Sequence, residues 1–379
     1  MDNNLVKKVK TFKSGLFSFS CKYRNDQLIR LIVEANVLYQ TVVDLPILPA
    51  LSTQIEDDII KRSIFGTAAI EGNPLSEEKV SEIITNPDRY QIIQKAEKEI
   101  RNLKTVYDFI KNLKAENLDF KLEEDLIKKI HKLVTLDLGD KQNIPGKYRN
   151  FVVKVGDTAH GGVYTPPKIL EDIKNLMSAL ILWINSEPVS SIDSTIKAAL
   201  VHYHFALIHP FADGNGRTAR LIEALILRIA GIKYVPVMLS NYYYKNMDEY
   251  YWVFSKSIKN KEHDLTIFIE FVLKGVINSL EEIKDSIIYY IRKFTLRDYY
   301  KFLKSEREIT QRQHDLLIIL LENPTSFTLL DLINNAPFNM IYRKVSDRTA
   351  RRDIKKLLTH KLLLILESGK YNLNFKVLG

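Results

Sequence analysis

The segment HPFADGNGRTAR, residues 209 to 220, brings together an imidazole, a carboxylate, two glycines and two arginines. Gly214 and Gly216 allow the backbone to curl so that successive N–H groups, including that of Asn215, point into one concavity. A helix that begins at this point adds its own unpaired N-terminal donors. The segment therefore predicts a phosphate-binding nest at a helix N-terminus.

Four charged or titratable side chains complete this predicted site. Arg217 and Arg220 are three residues apart, so they share a helix face and can neutralise further phosphate oxygens. Asp213 is a hard oxygen ligand beside the nest, and Mg²⁺ is usually held by one carboxylate together with substrate phosphates. His209 can take a proton from an attacking hydroxyl near neutral pH. This set favours nucleotide chemistry over a surface turn.

Two helices must position the segment. The preceding helix, expected over residues 193–208, has to end because Pro210 disfavours a helical conformation at the residue before it. The next helix is expected to begin at Gly216 or Arg217 and to end before Gly231. Phe211 is expected to anchor the loop in the core. His202 and His204 lie on nearly opposite helix faces, which favours core or helix-surface roles over zinc binding.

Most of the remaining chain is also predicted to be helical, from apolar residues at three- and four-residue spacing. Two stretches are expected to be extended: a hairpin that begins with residues 148–155 and turns at Gly161-Gly162, and a second hairpin formed by residues 362–367 and 371–377. Outside residues 193–230, helices are expected at 91–112, 122–134, 168–184 and 264–294.

The charge of the chain is unevenly distributed. The 379 residues carry a net charge of +9, yet residues 295–379 alone hold 15 Lys and Arg against 9 Asp and Glu. The change in pattern and charge predicts a separate C-terminal domain with an anionic partner at 295–379. An N-terminal helical region at 1–110 and a core at 111–294 are expected before it. A single cysteine, Cys21, and the lack of an apolar leader favour a cytoplasmic protein without disulfides.

The 209–220 segment and several other parts of the chain resemble a known family. HPFADGNGRTAR matches every fixed position of the Fic signature, His-Pro-Phe-x-Asp-Gly-Asn-Gly-Arg-x-x-Arg. Residues 145–149 with the following hairpin resemble the Fic flap, residues 99–102 resemble an upstream helical element, and Asn246 with Tyr250-Tyr251 resembles the element after the core helices. Met247 departs from the family pattern, where a basic residue is common. The resemblance implies a mainly α fold, a Fic helical core with a small β-hairpin flap.

The resemblance also implies an activity. A Fic protein of this type is a protein adenylyltransferase, which moves AMP from ATP to a Ser, Thr or Tyr hydroxyl of a target protein. His209 would be the general base, Asp213 would hold Mg²⁺, and the flap at about 149–165 would hold the target as an added strand. Nucleotide contacts would come from Gly214, Asn215, Gly216, Arg217, Arg220 and Asn246.

A second motif resembles the inhibitory segment of Fic proteins, Ser/Thr-x-x-x-Glu-Gly/Asn. Thr67 and Glu71 are four residues apart on one helix face, and Gly72 can end that helix, followed by Asn73. By resemblance, Glu71 would pair with Arg220 and deprive the γ-phosphate of that arginine. In some relatives the inhibitory glutamate also supports removal of AMP, and this reverse activity stays open.

The C-terminal region, in turn, resembles a winged helix-turn-helix. A helix that starts after Ser346 would expose Arg348, Arg351, Arg352 and Lys355 on one face, and the turn at residues 368–370 would be the wing tip. DNA binding and protein docking or dimerisation are both consistent with this pattern. The alternative to an autoinhibited enzyme is therefore a DNA-binding regulator that uses the Fic domain as a nucleotide sensor. The target protein and the oligomeric state, including a homodimer, stay open.

Overall fold

The protein is described by a computed structural model that covers residues 6–86, 94–113, 120–139, 141–187 and 189–378. Helices dominate these residues, which confirms the expected mainly α fold. The chain divides into two compact units between Lys284 and Asp285. Within the described ranges, no helix is both long and apolar enough to span a membrane. The domain boundaries expected at residues 110 and 294 stay predictions.

The first unit begins with a hairpin and continues as a set of helices. Its hairpin is β1 (Val6–Lys10) and β2 (Leu16–Ser20). The helices are α1 (Asn25–Asp44), α2 (Pro49–Ile70), α3 (Glu77–Thr85), α4 (Lys95–Lys111), α5 (Glu124–Val134), α6 (Leu170–Ile184), α7 (Ser194–Ile208), α8 (Asn215–Ile229), α9 (Val235–Lys245) and α10 (Met247–Lys259), with a short 3₁₀ turn at Val189–Ser191. The next helix, α11 (Thr266–Ser305), contains the division between the units.

Helices α7 and α8 form the centre of this unit. The side chain of Asp193 caps α7 by accepting hydrogen bonds from the N–H groups of Thr195 and Ile196. Nearly every residue of α7 is buried, as expected for a helix that is apolar on all sides. Helix α8 packs against α7 and starts at Asn215, directly after Gly214 with φ +78°. The two helices therefore fix both ends of the 209–214 loop.

Helix α2 approaches α9 closely because residue 66 is a glycine. A Cβ added at Gly66 would lie 2.8 Å from the backbone oxygen of Ser240. Helix α2 ends at Ile70, and Glu71 follows as its C-cap. The close packing of α2 against α9 thus determines where the end of α2, with Thr67 and Glu71, lies in the unit.

The N-terminal hairpin was not expected from the sequence. Strands β1 and β2 pair antiparallel from Val6 with Ser20 to Lys10 with Leu16. The turn between them is stabilised by a residue that is distant in the sequence, since the Asp172 carboxylate accepts hydrogen bonds from the N–H groups of Phe12 and Lys13. Such tertiary capping has no local sequence signature.

The expected strand at residues 148–155 is wrong for most of its length. The flap, residues 149–165, has one isolated antiparallel bridge between Val155 and Tyr164 and no longer ladder. The backbone of Arg149 bonds elsewhere, because its N–H donates to the carbonyl of Pro210. The flap is therefore a loop closed by one bridge.

Two predicted helices also differ in extent. The helix expected over residues 91–112 is α4, which begins at Lys95, while residues 91–93 lie outside the described part of the chain. The helix expected over residues 264–294 continues to Ser305 as α11.

The second unit contains short helices and a small hairpin around its own core, which includes Tyr300, Leu316, Phe327 and Leu357. Strands β3 (Leu363–Ile365) and β4 (Tyr371–Leu373) pair antiparallel from Leu363 with Leu373 to Ile365 with Tyr371, a shorter hairpin than expected. The elements are α12 (Gln311–Glu322), α13 (Leu329–Asn334), α14 (Asn339–Tyr342), α15 (Asp347–Thr359), β3 (Leu363–Ile365) and β4 (Tyr371–Leu373).

Candidate functional site

The 209–214 loop is braced by side chains on both of its flanks. The Asn215 side chain closes the turn, accepting a hydrogen bond from the N–H of Phe211 and donating to the carbonyl of the same residue, both at 2.9 Å. Phe211 is fully buried and stacks on the His131 ring at 3.5 Å between centroids. The expected anchoring role of Phe211 is thus seen in the structure, and the amide of Asn215 is used inside the loop.

His131 holds the loop at a second point. Its Nδ1 accepts a hydrogen bond from the N–H of Gly146, so its Nε2 carries the proton and donates to the carbonyl of Asp213 at 2.9 Å. Burial lowers the pKa of His131 to about 4, which keeps this tautomer neutral. No sequence motif indicated His131, because its only signal is a place on the buried face of the amphipathic helix α5.

His209 follows α7 directly and adopts a left-handed backbone with φ +50°. Its carbonyl accepts a hydrogen bond from Arg149 Nε at 2.8 Å, which fixes the residue from the flap side. Burial, with the positive charge of Arg149, lowers the pKa of His209 to about 4, although the Ala206 carbonyl, Glu71 and Asp213 oppose this. The imidazole is therefore neutral at pH 7 and can accept a proton.

Arg149 is the flap residue most closely tied to this loop. Besides its bond to His209, its Nη1 donates to the carbonyl of Phe151, and the residue is only 3% exposed. Burial lowers the pKa of Arg149 to about 10, so the guanidinium stays charged at neutral pH. Arg149 thus places a cation next to His209 and connects the start of the flap to the loop.

Asp213 and Arg217 form a pair across the first turn of α8. Asp213 Oδ2 accepts a hydrogen bond from Arg217 Nη2 at 3.0 Å, and Asp213 Oδ1 accepts one from the N–H of Gly214 at 2.6 Å. Burial alone would raise the pKa of Asp213, but Arg217 and these hydrogen bonds lower it. Arg217 also lies 3.3 Å from Glu99 Oε1 on α4. No role at the site was predicted for Glu99 from the sequence.

Glu71 and Arg220 form the second carboxylate–arginine pair of the site. Arg220 Nη2 donates to Glu71 Oε1 at 2.7 Å and to the carbonyl of Thr67 at 3.1 Å. The side chain of Arg220 is 1% exposed, and Glu71, although burial opposes it, raises the pKa of Arg220 above its usual value. A Cβ added at Gly216 would overlap Glu71 Oε1. The Glu71 carboxylate therefore lies against the N-terminal turn of α8.

The two residues after Glu71 leave the helix and connect it to α4. Gly72 has φ +83°, a conformation that suits glycine at a helix end. Asn73 Nδ2 donates to Glu99 Oε2 at 2.9 Å and to the carbonyl of Ala96 at 3.0 Å. Residues 71–73 thus contact Arg220 directly, through Glu71, and contact Glu99, the partner of Arg217, through Asn73.

A pocket of about 770 Å³ opens beside these groups. His209, Gly216, Arg220 and Glu71 line one part of it, and its further walls come from the flap and from α10. The wall residues on α10 are Tyr250, Tyr251, Phe254, Ser255, Ile258 and Lys259. The pocket is large enough for a nucleotide-sized ligand.

Two contacts hold the flap against α10. The first is between His160 Nε2 and Asp248 Oδ1 of α10, at 3.1 Å, and His160 Nδ1 lies 2.9 Å from Asp157 Oδ2 within the flap. Lys259 Nζ donates to the carbonyl of Gly161. The tip of the flap therefore covers the α10 side of the pocket.

Asn246 and the core histidines occupy supporting positions. Asn246 joins α9 to α10, and its Nδ2 donates to the carbonyl of Tyr242 at 2.9 Å. His202 is fully buried, with Nε2 2.9 Å from the hydroxyl of Tyr250 and Nδ1 3.1 Å from Glu223. His204 Nε2 lies 2.9 Å from the backbone oxygen of Ser20. Within the described residues, no group of three or more His, Cys, Asp or Glu side chains is arranged to hold a metal ion.

In the second unit, the predicted basic face lies on α15. Arg348, Arg351, Arg352 and Lys355 are exposed, while Ile354 and Leu357 of the same helix are buried. Asp347 partly offsets this face, since its Oδ2 accepts a hydrogen bond from Arg351 Nε at 2.8 Å.

Comparison with known proteins agrees with this geometry. Residues 121–227 match the Fic/DOC family and include the whole 209–220 segment. The fold resembles a crystal structure of a Fic family protein from Desulfovibrio desulfuricans, with a TM-score of 0.54 at 21% identity over 92% of this chain and 95% of that one. It also resembles Fic-1 from Caenorhabditis elegans, with a TM-score of 0.56 at 22% identity over 69% and 73% of the two chains. The chain therefore contains a Fic domain.

Curated relatives carry more specific names. Protein adenylyltransferase fic-1 from Caenorhabditis elegans is 31% identical over 177 residues, which is 46% of this chain and 33% of the relative. Protein adenylyltransferase Fic from Drosophila virilis is 30% identical over 213 residues, which is 55% of this chain and 39% of the relative. The chain thus spans between a third and two fifths of the length of these relatives.

Proposed function

We propose that the chain is a protein adenylyltransferase that transfers AMP from ATP to a Ser, Thr or Tyr hydroxyl of a target protein. The observation that carries this proposal is the neutral His209 imidazole, in the same pocket as Gly216 and Arg220. A proton acceptor beside a phosphate-binding helix terminus suits a reaction in which a hydroxyl attacks a phosphate. The names of the curated relatives support the same reaction.

In the proposed reaction, His209 removes the proton of the target hydroxyl as its oxygen bonds to the α-phosphorus of ATP. The bond from that phosphorus to the bridging oxygen breaks, pyrophosphate leaves, and the proton stays on the imidazole. The N–H groups of Asn215 and Gly216 stabilise the charge at the α-phosphate, since the first N–H groups of a helix lack helical partners. The N–H of Gly214 donates to Asp213 Oδ1, so Gly214 contributes through the backbone turn that it allows. Arg217 and Arg220 bind the β- and γ-phosphates.

Asp213 fits the role of magnesium ligand. Its pKa is lowered, so it is a carboxylate at neutral pH, and its side chain is 35% exposed. Its contact with Arg217 can be exchanged for a metal when phosphates engage the arginine. Mg²⁺ bound there would neutralise phosphate charge.

Glu71 is proposed to be an inhibitory residue. Its carboxylate holds Arg220 and lies against Gly216, where the proposed reaction needs phosphate oxygens. ATP that reaches the pocket while this pair is intact lacks one arginine and meets a negative charge. The same carboxylate shares the pocket with His209, which leaves open a part for Glu71 in the removal of AMP.

The flap is proposed to bind the target protein. Phe151 and Val152 are 38% and 56% exposed, and the described flap has one ladder bridge, at Val155. An extended peptide that pairs with residues 152–154 would present its hydroxyl beside His209.

The proposal is tested with the full chain and ATP that carries its label at the α-phosphate. Glu71→Gly is expected to transfer more label to protein than the unaltered chain, and Glu71→Gly/His209→Ala is expected to transfer almost none. Because the pKa of His209 is about 4, transfer should persist from pH 7 to about pH 5 and fall as the imidazole protonates near pH 4. ATP labelled at the γ-phosphate should leave no label on protein.

Glu71→Gly/His360→Ala is the matched control, since it removes a histidine of the second unit and should transfer as much as Glu71→Gly. Transfer of the γ-label would show phosphate transfer instead of AMP transfer. Full transfer by the His209→Ala variant would show that His209 is not the base.

The second unit supports a further candidate function, binding of duplex DNA. The specific observation is the exposed basic face of α15 formed by Arg348, Arg351, Arg352 and Lys355. Such a face can neutralise DNA phosphates, and in the winged helices that the C-terminal sequence resembles, the corresponding helix lies in the major groove.

A further inference from the structure

We infer that Glu99 is a second inhibitory carboxylate, which competes with polyphosphate for Arg217 and is held in place by Asn73. The inference rests on the proposed function, because it concerns the binding of ATP at the same site. It assigns Glu99 as a positioning residue that acts through Arg217.

The contact between Glu99 and Arg217 is close but incomplete. Glu99 Oε1 lies 3.3 Å from Arg217 Nη1, and the two side chains are 13% and 4% exposed. Arg217 Nη1 and Nε are nevertheless buried without a hydrogen-bond partner in the described structure. Glu99 therefore supplies opposite charge without filling these donors. A buried arginine with unfilled donors is available to a ligand that accepts hydrogen bonds.

Asn73 explains why the contact is incomplete. Its Nδ2 donates to Glu99 Oε2 at 2.9 Å, and its Oδ1 accepts from the N–H of Leu75 at 3.2 Å. The amide is thus fixed at the exit of α2 and holds one carboxylate oxygen of Glu99. With that oxygen engaged, Glu99 does not form a two-oxygen pair with Arg217. Glu99 is therefore held near Arg217 in a contact that is weaker than a two-oxygen ion pair would be.

The two arginines of the motif therefore each face a carboxylate from outside the loop. Arg220 faces Glu71, and Arg217 faces Glu99, while Asn73 lies two residues after Glu71 and contacts Glu99. A carboxylate beside Arg217 repels the polyphosphate of ATP but lies away from the α-phosphate in the proposed binding mode. Removal of its charge should strengthen binding of ATP and leave binding of AMP unchanged.

The experiment measures the Kd of MgATP and of AMP by calorimetry on the full chain with Glu71→Gly as the parent, so that the Glu71–Arg220 pair is absent from every variant. Glu99→Gln is expected to bind ATP about fivefold to tenfold more tightly than the parent, as expected for the loss of one nearby negative charge. Its Kd for AMP should equal that of the parent. Asp108→Asn is the matched control: it removes one negative charge from the same helix, where Asp108 is 45% exposed and pairs with Lys104, and both Kd values should be unchanged.

Asn73→Ala tests the restraint on Glu99. Without the amide, Glu99 can pair fully with Arg217, so ATP should bind several-fold more weakly than to the parent. In the Glu99→Gln variant, Asn73→Ala should leave the ratio of the Kd for ATP to the Kd for AMP unchanged. If Asn73→Ala weakened ATP binding equally in the parent and in the Glu99→Gln variant, its effect would be purely structural. That result would overturn the inference that Asn73 restrains Glu99. Thermal unfolding of each variant shows that the fold is retained.

The outcomes separate the inference from the proposed function. An unchanged Kd for ATP in Glu99→Gln, or equal changes for ATP and AMP, overturns the inference and leaves the proposed function intact. Failure of the Glu71→Gly parent to bind ATP overturns the proposed function and the inference with it.

Discussion

Replacement of Glu71 by glutamine should affect stability and nucleotide binding in opposite directions. The change keeps the size of the side chain but removes the charge that faces Arg220, whose side chain is 1% exposed. Breaking a buried ion pair by removing one partner usually costs about 3 to 5 kcal/mol. Glu71 is 29% exposed and the carbonyl of Thr67 still accepts from Arg220, so we expect a loss of about 2 kcal/mol.

The stability that Glu71→Gln loses should be regained as tighter binding of ATP. In the unaltered chain, ATP must displace the charged Glu71 carboxylate to reach Arg220, whereas in Glu71→Gln the arginine has no charged partner. A difference of about 2 kcal/mol corresponds to about 30-fold tighter binding of ATP. At ATP concentrations far above both Kd values, the stability gained by the variant should offset the initial loss.

The assay is thermal unfolding with and without ATP. Without nucleotide, the transition of the unit that contains Glu71 should occur about 3 °C lower in Glu71→Gln than in the unaltered chain. With saturating ATP, the two transitions should nearly coincide. Glu270→Gln is the control, since the Lys274–Glu270 pair has an N···O distance of 2.8 Å but lies on the surface and should matter little. A difference that is the same with and without ATP would refute the reasoning, because ATP binding would then not engage Arg220.

Two further predictions concern the pH dependence of stability and the second unit. Burial lowers the pKa of His204 to about 4, so the unfolded chain binds a proton there between about pH 6.5 and pH 4 while the folded chain does not. His204 should therefore contribute about 3 kcal/mol to the fall in the free energy of unfolding over this range, and His204→Phe should reduce that fall by about this amount in acid titrations followed by urea unfolding. For the second unit, binding to duplex DNA should weaken steeply with salt and should be lost with Arg348→Ala/Arg352→Ala; no binding at low salt would reject DNA as a partner.

The sequence predicted the 209–214 loop and its two flanking helices better than the elements around them. The residues of the 209–220 segment are close in the chain, so Pro210, Gly214 and the helix periodicity suffice to predict a loop between two helices. The pairing of Glu71 with Arg220 was expected only from family resemblance, because 149 residues separate the two positions.

The parts that were not predicted depend on tertiary contacts. Nothing near His131 in the sequence indicates that its ring stacks on Phe211 and bonds to Asp213. The strand expected at the start of the flap has β-branched and aromatic residues, yet Arg149 bonds to the 209–214 loop in place of a neighbouring strand. The N-terminal hairpin depends on Asp172, more than 150 residues away. Local patterns carry no information on such long-range partners.

The position of the Glu71 carboxylate against Gly216 means that the chain carries its own anionic ligand, joined covalently to the site. Such a ligand has an effective concentration that depends on the length and stiffness of its connection and not on how much protein is present. The rigid connection here is α2, which is packed against α9 at Gly66. Dilution of the protein should therefore leave the inhibition by Glu71 unchanged. A change that loosens the packing at Gly66 should weaken the inhibition even though it alters no residue of the pocket.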